Sequence, residues 1–284
     1  MRIDLVLFLG TFVLFVFGHV IAAAKWWLLL DRRFVFFKAV RAHFAGLAAN
    51  LCLPGVAGGD VVRAAMVMRH SDQKTAIAAG SLADRMIDML ALAIVSAIGV
   101  LMVQSGGGWD GVVLPITGVF GAALIGAFYV LPLVVPLIYA KIPQLPMAGL
   151  AHKTAAAFGA LGKRPLVLLL ALTASVAVQA GFVLLTIRIA TAVGVDVSPG
   201  AWFVAWPLAK VLAVLPISLG GLGLREGILA GILVQFGALA APVVATGLVW
   251  QAVLYAAGLM GALAWWLTAG KDPSDNKFSE RVRS

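Results

Sequence analysis

The chain has 284 residues, of which 62% are hydrophobic and only 12% are charged. A water-solvated globular domain has about 25% charged residues, so this composition excludes a soluble globular protein and indicates an integral membrane protein. One cysteine and four scattered histidines give no disulfide framework and no metal-ligand spacing, and we expect no metal and no cofactor. The net charge of +9 is concentrated in short loops, which is typical of segments beside an anionic membrane leaflet, and we expect no nucleic-acid partner.

Apolar runs long enough to cross a hydrocarbon core, which takes about 20 helical residues, occur five times along the chain. The sequence therefore predicts an all-α, polytopic membrane protein with about five full spans. We expect a single membrane domain over residues 1–270 and a short charged tail over 271–284. The predicted spans cover roughly 5–30, 76–103, 112–140, 164–192 and 243–269.

Isolated polar residues inside these spans have ordinary structural explanations. Lys25 lies beside two tryptophans and is predicted to be a snorkelling anchor at the membrane surface. We expect His19 to be a satisfied core histidine. For Gln179, Arg188 and Gln251 two roles stay open, lining a cavity or bonding neighbouring helices.

Two shorter apolar stretches, 34–53 and 201–219, end at two similar segments, which share Leu-Pro, Gly-Gly and Arg at the same spacing and are called the repeated phrase below. "LPGVAGGDVVR" begins at Leu53 and "LPISLGGLGLR" begins at Leu215. About ten residues of each stretch enter the core, and they make about 15 Å of helix, half of the core thickness. Proline and paired glycines then break the helical hydrogen bonding. The sequence therefore predicts two re-entrant helical hairpins, over about 34–75 and about 201–240.

Loop charges predict the orientation of the chain. Lysine and arginine gather in the loops 31–43, 63–75 and 141–164 and in the tail, whereas 104–111 and 193–200 contain neither. By the positive-inside rule the basic side is cytoplasmic, with the N-terminus outside and the C-terminus in the cytoplasm of a bacterial-type inner membrane. Three spans separate the hairpins, so we expect the hairpins to enter from opposite faces as an inverted repeat.

The repeated phrase predicts an anion site. A helix that starts after paired glycines presents free backbone N–H groups and a positive dipole end, and a nearby arginine adds a phosphate clamp. The alternative is that each glycine pair only makes a close helix crossing and that each arginine pairs with a local acid. The predicted headgroup-binding residues are Gly58, Gly59, Arg63, Gly220, Gly221 and Arg225.

A second polar cluster is predicted around "SLADRMIDML", residues 81–90, which places a serine and three charged residues on one helix face. Charges at this depth are costly and usually mark function, although a structural salt bridge is the alternative. Asp60 lies where an N-cap is expected, Asn50 precedes the first tip, and Lys210 is expected to pair with Glu226. The predicted supporting network comprises Asn50, Asp60, Ser81, Asp84, Arg85, Asp88, Lys210 and Glu226.

Three ordered segments resemble a known family. "FAGLAANLCLPGVAGGDVVRA", "SLADRMIDMLAL" and "LPISLGGLGLREG" are similar to the flippase-like, lysylphosphatidylglycerol synthase transmembrane family, over nearly the whole chain. The resemblance implies lipid translocation, since the membrane part of members fused to an aminoacyl-transferase domain is held to move the lipid between leaflets. Only 14 residues follow Gly270, so we do not expect the synthase activity in the family name. Members commonly have a further upstream span, and whether this chain's start omits one stays open.

The residues and the resemblance together favour one function and leave two alternatives. We expect a non-enzymatic lipid flippase or scramblase-like transporter for an anionic headgroup, phospholipid or polyprenyl-phosphate-linked. One alternative is an intramembrane polyprenyl-pyrophosphate phosphatase-like enzyme, for which the two loops offer only Ser218 as a serine nucleophile. The other is a non-catalytic scaffold of an envelope-lipid synthesis complex. The expected partners are membrane lipids and an anionic lipid substrate, and a homo-oligomer or a lipid-synthesis enzyme partner stays open.

Overall fold

The computed structural model describes residues 4–53, 58–69, 71–103, 108–142, 144, 146–213 and 222–268, and these contain helices and no strand. The predicted all-α class is confirmed. A π-helical turn, Gly126–Val130, lies between the helices Asp110–Ile125 and Leu131–Lys141, just before Pro132, whose missing N–H prevents a regular helical hydrogen bond there. The α-helices are α1 (Leu5–Leu29), α2 (Phe36–Ala49), α3 (Gly58–Met68), α4 (Lys74–Met102), α5 (Asp110–Ile125), α6 (Leu131–Lys141), α7 (Ala148–Gly162), α8 (Pro165–Ala192), α9 (Pro199–Leu212), α10 (Leu224–Val234) and α11 (Ala240–Thr268).

Five helical segments of the described chain are long and apolar enough to cross a membrane, as predicted. Each observed end lies within three residues of the predicted one, because the apolar runs stop at polar or glycine-rich turns. The protein is therefore an integral membrane protein. The segments are Leu5–Leu29, Lys74–Met102, Asp110–Lys141, Pro165–Ala192 and Ala240–Leu267.

Four helices at each end of the chain repeat one order of lengths. In the first group a 25-residue helix, α1, is followed by helices of 14, 11 and 29 residues. In the second group a 28-residue helix, α8, is followed by helices of 14, 11 and 29 residues. At 1.5 Å per residue, the short helices reach about 21 and about 16 Å, less than a core of about 30 Å. None of these four short helices is long enough to cross a membrane alone.

The two groups of helices pack crosswise. Helix α2 packs on α3 and on α11 of the other group, and α9 packs on α10 and on α4. Glycines allow the close crossings: a Cβ at Gly99 of α4 would lie 2.6 Å from the Phe203 backbone, and one at Gly261 of α11 would overlap the Phe44 carbonyl. Since each short pair is held by a long helix of the other group, both short pairs face a common interior.

Residues 141–164 form more structure than the predicted cytoplasmic loop. They contain α7, whose buried residues recur at helical spacing as Ala155, Phe158 and Leu161. These side chains join a hydrophobic cluster with Leu29 and Phe128. The loop prediction for this segment is wrong because its apolar stripe is shorter than a span but wide enough to cover the neighbouring helices.

Candidate functional site

A cavity of about 190 Å³ lies between the two short helix pairs. Arg63 of α3 and Arg225 of α10 both line it, and they are only 4% and 6% exposed. The structure thus brings together two predicted residues that lie 162 positions apart in the sequence. The apolar part of the wall includes four aromatic side chains that pack together: Phe15, Phe182, Trp206 and Trp250.

Arg63 is held between two carboxylates. Its Nη2 lies 2.6 Å from Asp84 Oδ2 and 3.2 Å from Asp60 Oδ1, and its Cζ lies 4.9 Å from the centre of the Trp26 ring. Asp60 also contacts Arg85, with an Nη2 to Oδ2 distance of 2.9 Å. A buried guanidinium is tolerated only when it is paired in this way. The acids of α3 and α4 therefore fix the position of Arg63 on the cavity wall.

Lys25 joins the same network from α1. Its Nζ lies 3.0 Å from Asp84 Oδ1 and 2.5 Å from Asp88 Oδ1, and it donates a hydrogen bond to Ser175 Oγ at 2.8 Å. The Ser175 hydroxyl donates to Asp88 at 2.7 Å. The prediction of a snorkelling anchor is wrong for Lys25, since its side chain is 2% exposed. Two carboxylates on α4 make this interior position more favourable than the membrane surface.

Two histidines extend the network from Arg63 back to α1. Arg63 Nη1 donates to His43 Nδ1 over 3.2 Å, and His43 Nε2 lies 2.9 Å from His19 Nδ1. Because an arginine can only donate, this geometry assigns the proton of His43 to Nε2, which then donates to His19. His19 is hydrogen-bonded, as predicted, but it also lines the cavity.

Arg225 has a carboxylate and an amide as partners. Its Nη2 lies 2.5 Å from Glu226 Oε1 and donates to Gln251 Oε1 at 2.9 Å. The other carboxylate oxygen of Glu226 accepts the Gly223 N–H at 2.8 Å, which caps the start of α10. Gly247 of α11 provides the space for Glu226, because a Cβ there would lie 2.5 Å from Glu226 Cγ.

Lys210 has a different partner from the predicted one. Its Nζ donates to Gln179 Oε1 at 2.8 Å and lies 5.5 Å from the centre of the Phe182 ring. The predicted pairing of Lys210 with Glu226 is wrong, because Lys210 donates to Gln179 and Glu226 contacts Arg225 and Gly223 instead. Lys210 therefore faces the cavity with an uncharged hydrogen-bond partner.

The start of α3 is already capped by the chain itself. Gly59 N–H donates to Asn50 Oδ1 at 2.7 Å, and a Cβ at Gly46 would lie 2.6 Å from the Gly59 carbonyl oxygen. The close-crossing role of this glycine pair is therefore present in the structure. Asp60 is the third residue of α3, so its prediction as N-cap is wrong, and its charge goes to Arg63 and Arg85.

The remaining predicted residues lie in three different places. Ser81 accepts a hydrogen bond from Trp26 Nε1 at 3.1 Å, away from the cavity wall. Gly58 begins α3. Gly220, Gly221 and Ser218 lie outside the residues that the structure describes.

Several cavity residues had no clear sequence signal of their own. His43 lies in α2 with the spacing of an ordinary packed residue, and Trp206 is of a type common at membrane surfaces, whereas the structure buries it on the cavity wall. Lys25 had an indirect signal, because Asp84 and Asp88 outnumber Arg85 within one span and require a basic partner from another helix. Gln179 and Gln251 take both of the roles left open, since they line the cavity and bond residues of other helices.

Fold and site together define a polytopic helical membrane protein with a charged interior cavity. A family model described as the lysylphosphatidylglycerol synthase TM region matches residues 1–261, and the chain belongs to this family. The suspected family is thereby confirmed. No curated protein and no solved structure matches the chain. The family membership indicates a membrane protein of lipid metabolism or transport.

Proposed function

We propose that the protein is a non-enzymatic flippase or scramblase-like transporter that moves an anionic lipid headgroup between leaflets. The supporting observation is that Arg63 and Arg225, from two separate short helix pairs, line one buried cavity. Charged groups inside a membrane domain are costly and usually mark the path of a polar substrate. The headgroup occupies the cavity while the acyl chains remain in lipid.

We infer that α1–α4 and α8–α11 are an inverted repeat in which α2–α3 and α9–α10 are re-entrant hairpins. The equal lengths of the short helices and their reciprocal packing on α11 and α4 support this arrangement. With three crossings before the second pair, one pair opens toward each leaflet. In this arrangement the N-terminus is outside and the C-terminus is cytoplasmic, in a bacterial-type inner membrane.

The repeat suggests a route for the headgroup. It enters past one short pair, contacts the donors of the cavity wall and leaves past the other pair. The carboxylates beside Arg63 and Arg225 offset the charge of the guanidinium groups while the cavity is empty. They also hold each guanidinium in the orientation that meets the headgroup. The headgroup therefore exchanges hydrogen bonds with water for hydrogen bonds with a preset wall.

The phosphatase alternative needs a free nucleophile beside an arginine. Among the described residues on the cavity wall, Ser175 has a hydroxyl, but it donates to Asp88 and accepts from Lys25. A serine that donates to a carboxylate paired with lysine is held in place rather than aimed at a phosphate. This arrangement favours transport over hydrolysis, and release of phosphate from a polyprenyl pyrophosphate by the purified protein would reverse that preference.

Transport by purified protein in vesicles tests the proposal. Fluorescent phosphatidylglycerol is reconstituted with wild type, Arg63→Ala or Arg225→Ala, and the outer-leaflet label is then destroyed chemically to count the translocated lipid. We expect wild type to translocate and both variants to lose at least about tenfold in rate, since each variant removes a guanidinium that donates hydrogen bonds to the headgroup. Arg188→Ala, at an exposed arginine of α8, is the matched control. Equal rates in wild type, both cavity variants and the control would contradict the proposal.

A further inference from the structure

The charged groups around the cavity do not balance. Arg225 pairs with Glu226, and Lys210 has no ion-pair partner among the described residues. The neighbouring stretches 54–57 and 214–221 contain no charged residue in the sequence. Three carboxylates and three basic groups alternate in one further chain of ion pairs, which runs Asp88, Lys25, Asp84, Arg63, Asp60, Arg85. The cavity therefore has one excess positive charge, located at Lys210.

A buried hydrogen-bond donor lies on the same face of the same helix. Trp206 precedes Lys210 by four residues in α9, so the two side chains project in one direction. Trp206 is 1% exposed and lines the cavity, and its Nε1 has no hydrogen-bond partner within the described part of the chain. Buried indole N–H groups almost always have an acceptor, so this one points to a ligand oxygen.

We propose that Lys210 and the Trp206 N–H bind the anionic oxygen of the headgroup and that Lys210 selects a phosphodiester headgroup with a net negative charge. This assignment rests on the proposed function, because it concerns the same cavity. The two arginines are then neutralised groups that shape the wall and donate hydrogen bonds. Lys210 supplies the charge that a bound monoanion cancels.

The charge balance explains why a zwitterionic headgroup is the poorer ligand. Phosphatidylglycerol brings one negative charge and leaves the cavity neutral. Phosphatidylcholine brings a phosphate together with a quaternary ammonium, so the excess charge of Lys210 remains and the new cation lies beside it. An unbalanced charge in a membrane interior is strongly disfavoured. Discrimination between these lipids therefore depends on Lys210.

Ligand-induced stabilisation of the full chain in detergent measures this preference. The probes are short-chain phosphatidylglycerol, short-chain phosphatidylcholine and inorganic phosphate, and the readout is the shift in Tm with ligand concentration. For Lys210→Gln we expect the affinity for phosphatidylglycerol to fall about tenfold, the factor that the weakest charge-assisted hydrogen bond supplies. Lys210→Arg retains the preference, and Lys153→Gln, at an exposed lysine of α7, behaves as wild type. Without ligand, Lys210→Gln unfolds at the same or a higher temperature, because it removes a half-buried charge that has no ion-pair partner among the described residues.

Each result separates this inference from the proposed function. A Lys210→Gln variant that still prefers phosphatidylglycerol over phosphatidylcholine as wild type does overturns the inference, whatever the transport assay gives. If Lys210→Gln loses the preference for phosphatidylglycerol and the wild-type protein translocates lipid in vesicles, the inference and the proposed function are both supported. If inorganic phosphate stabilises wild type as well as the lipid does, and Lys210→Gln abolishes that effect, the Lys210 site stands and the lipid function is contradicted.

Discussion

Asp84 is the residue on which the buried charges of the first helix pair depend. It is 1% exposed, and its two oxygens contact different basic groups, Lys25 Nζ and Arg63 Nη2. One carboxylate thus joins α1, α3 and α4 around the cavity. Because the Asp84 carboxylate is shared by two basic groups, its loss leaves both Lys25 and Arg63 buried close together without it.

Replacing Asp84 with asparagine should destabilise the protein strongly. We expect a loss of about 3–5 kcal/mol in the free energy of unfolding, the usual cost of removing one partner from a buried ion pair. Thermal unfolding in detergent measures this change as a lower Tm. Asp110→Asn is the control, since Asp110 is exposed at the start of α5. A variant as stable as the control would show that Asp84 does not hold Lys25 and Arg63.

The residue types of the site and the support of its arginines by acids could be predicted from the sequence, but most individual partners could not. The Arg63 and Asp84 side chains stood out because charges are rare in apolar segments. Their pairing depends on how α3 crosses α4, which no local pattern specifies. For the same reason Lys25, placed 59 positions before Asp84, was interpreted from its tryptophan neighbours alone. Lys210 was assigned to Glu226, an acid of the same predicted hairpin, whereas the fold gives that acid to Arg225.

The elements follow from two signals of different strength. Long apolar runs fix the five spans, because a helix that crosses lipid needs a minimum length. The short helices α2 and α9 follow from the Pro and Gly-Gly phrase after each. Helix α7 has neither signal, since it is too short for a span and no Pro and Gly-Gly phrase follows it. The apolar stripe of α7 can be interpreted only when the fold shows that it packs against Phe128.

The crosswise packing of the two helix groups depends on glycines with no room for a side chain. Gly99→Val or Gly261→Val should push α4 from α9 or α11 from α2, because the added Cβ meets backbone atoms that cannot rotate away. Overpacking of this kind costs about 1–3 kcal/mol or more, and we expect a lower Tm and slower lipid translocation. Gly118→Val on α5, where a Cβ would have no neighbour within 4 Å, is the matched control. Wild-type stability in all three variants would contradict the close crossings.

At the scale of the whole molecule, the proposed function requires that two half-sites from distant parts of the chain form one headgroup cavity. Eight helices contribute to its wall, and the described parts of both groups reach it. The order of helix lengths and the reciprocal packing match α1–α4 to α8–α11. The repeated phrase in the sequence matches the same two halves. In the proposed inverted repeat, a single cavity between the two halves gives the headgroup an approach from either leaflet.

Photo-crosslinking with a phosphatidylglycerol that carries a photoreactive group on its headgroup tests this claim most directly. The full chain is reconstituted in vesicles, irradiated and digested, and the labelled peptides are identified by mass spectrometry. The account predicts labelling of both 58–69 and 222–234, with competition by unlabelled phosphatidylglycerol and loss of both labels together in Arg63→Ala. Labels confined to one half of the chain, or to lipid-facing residues without competition, would contradict a shared headgroup cavity.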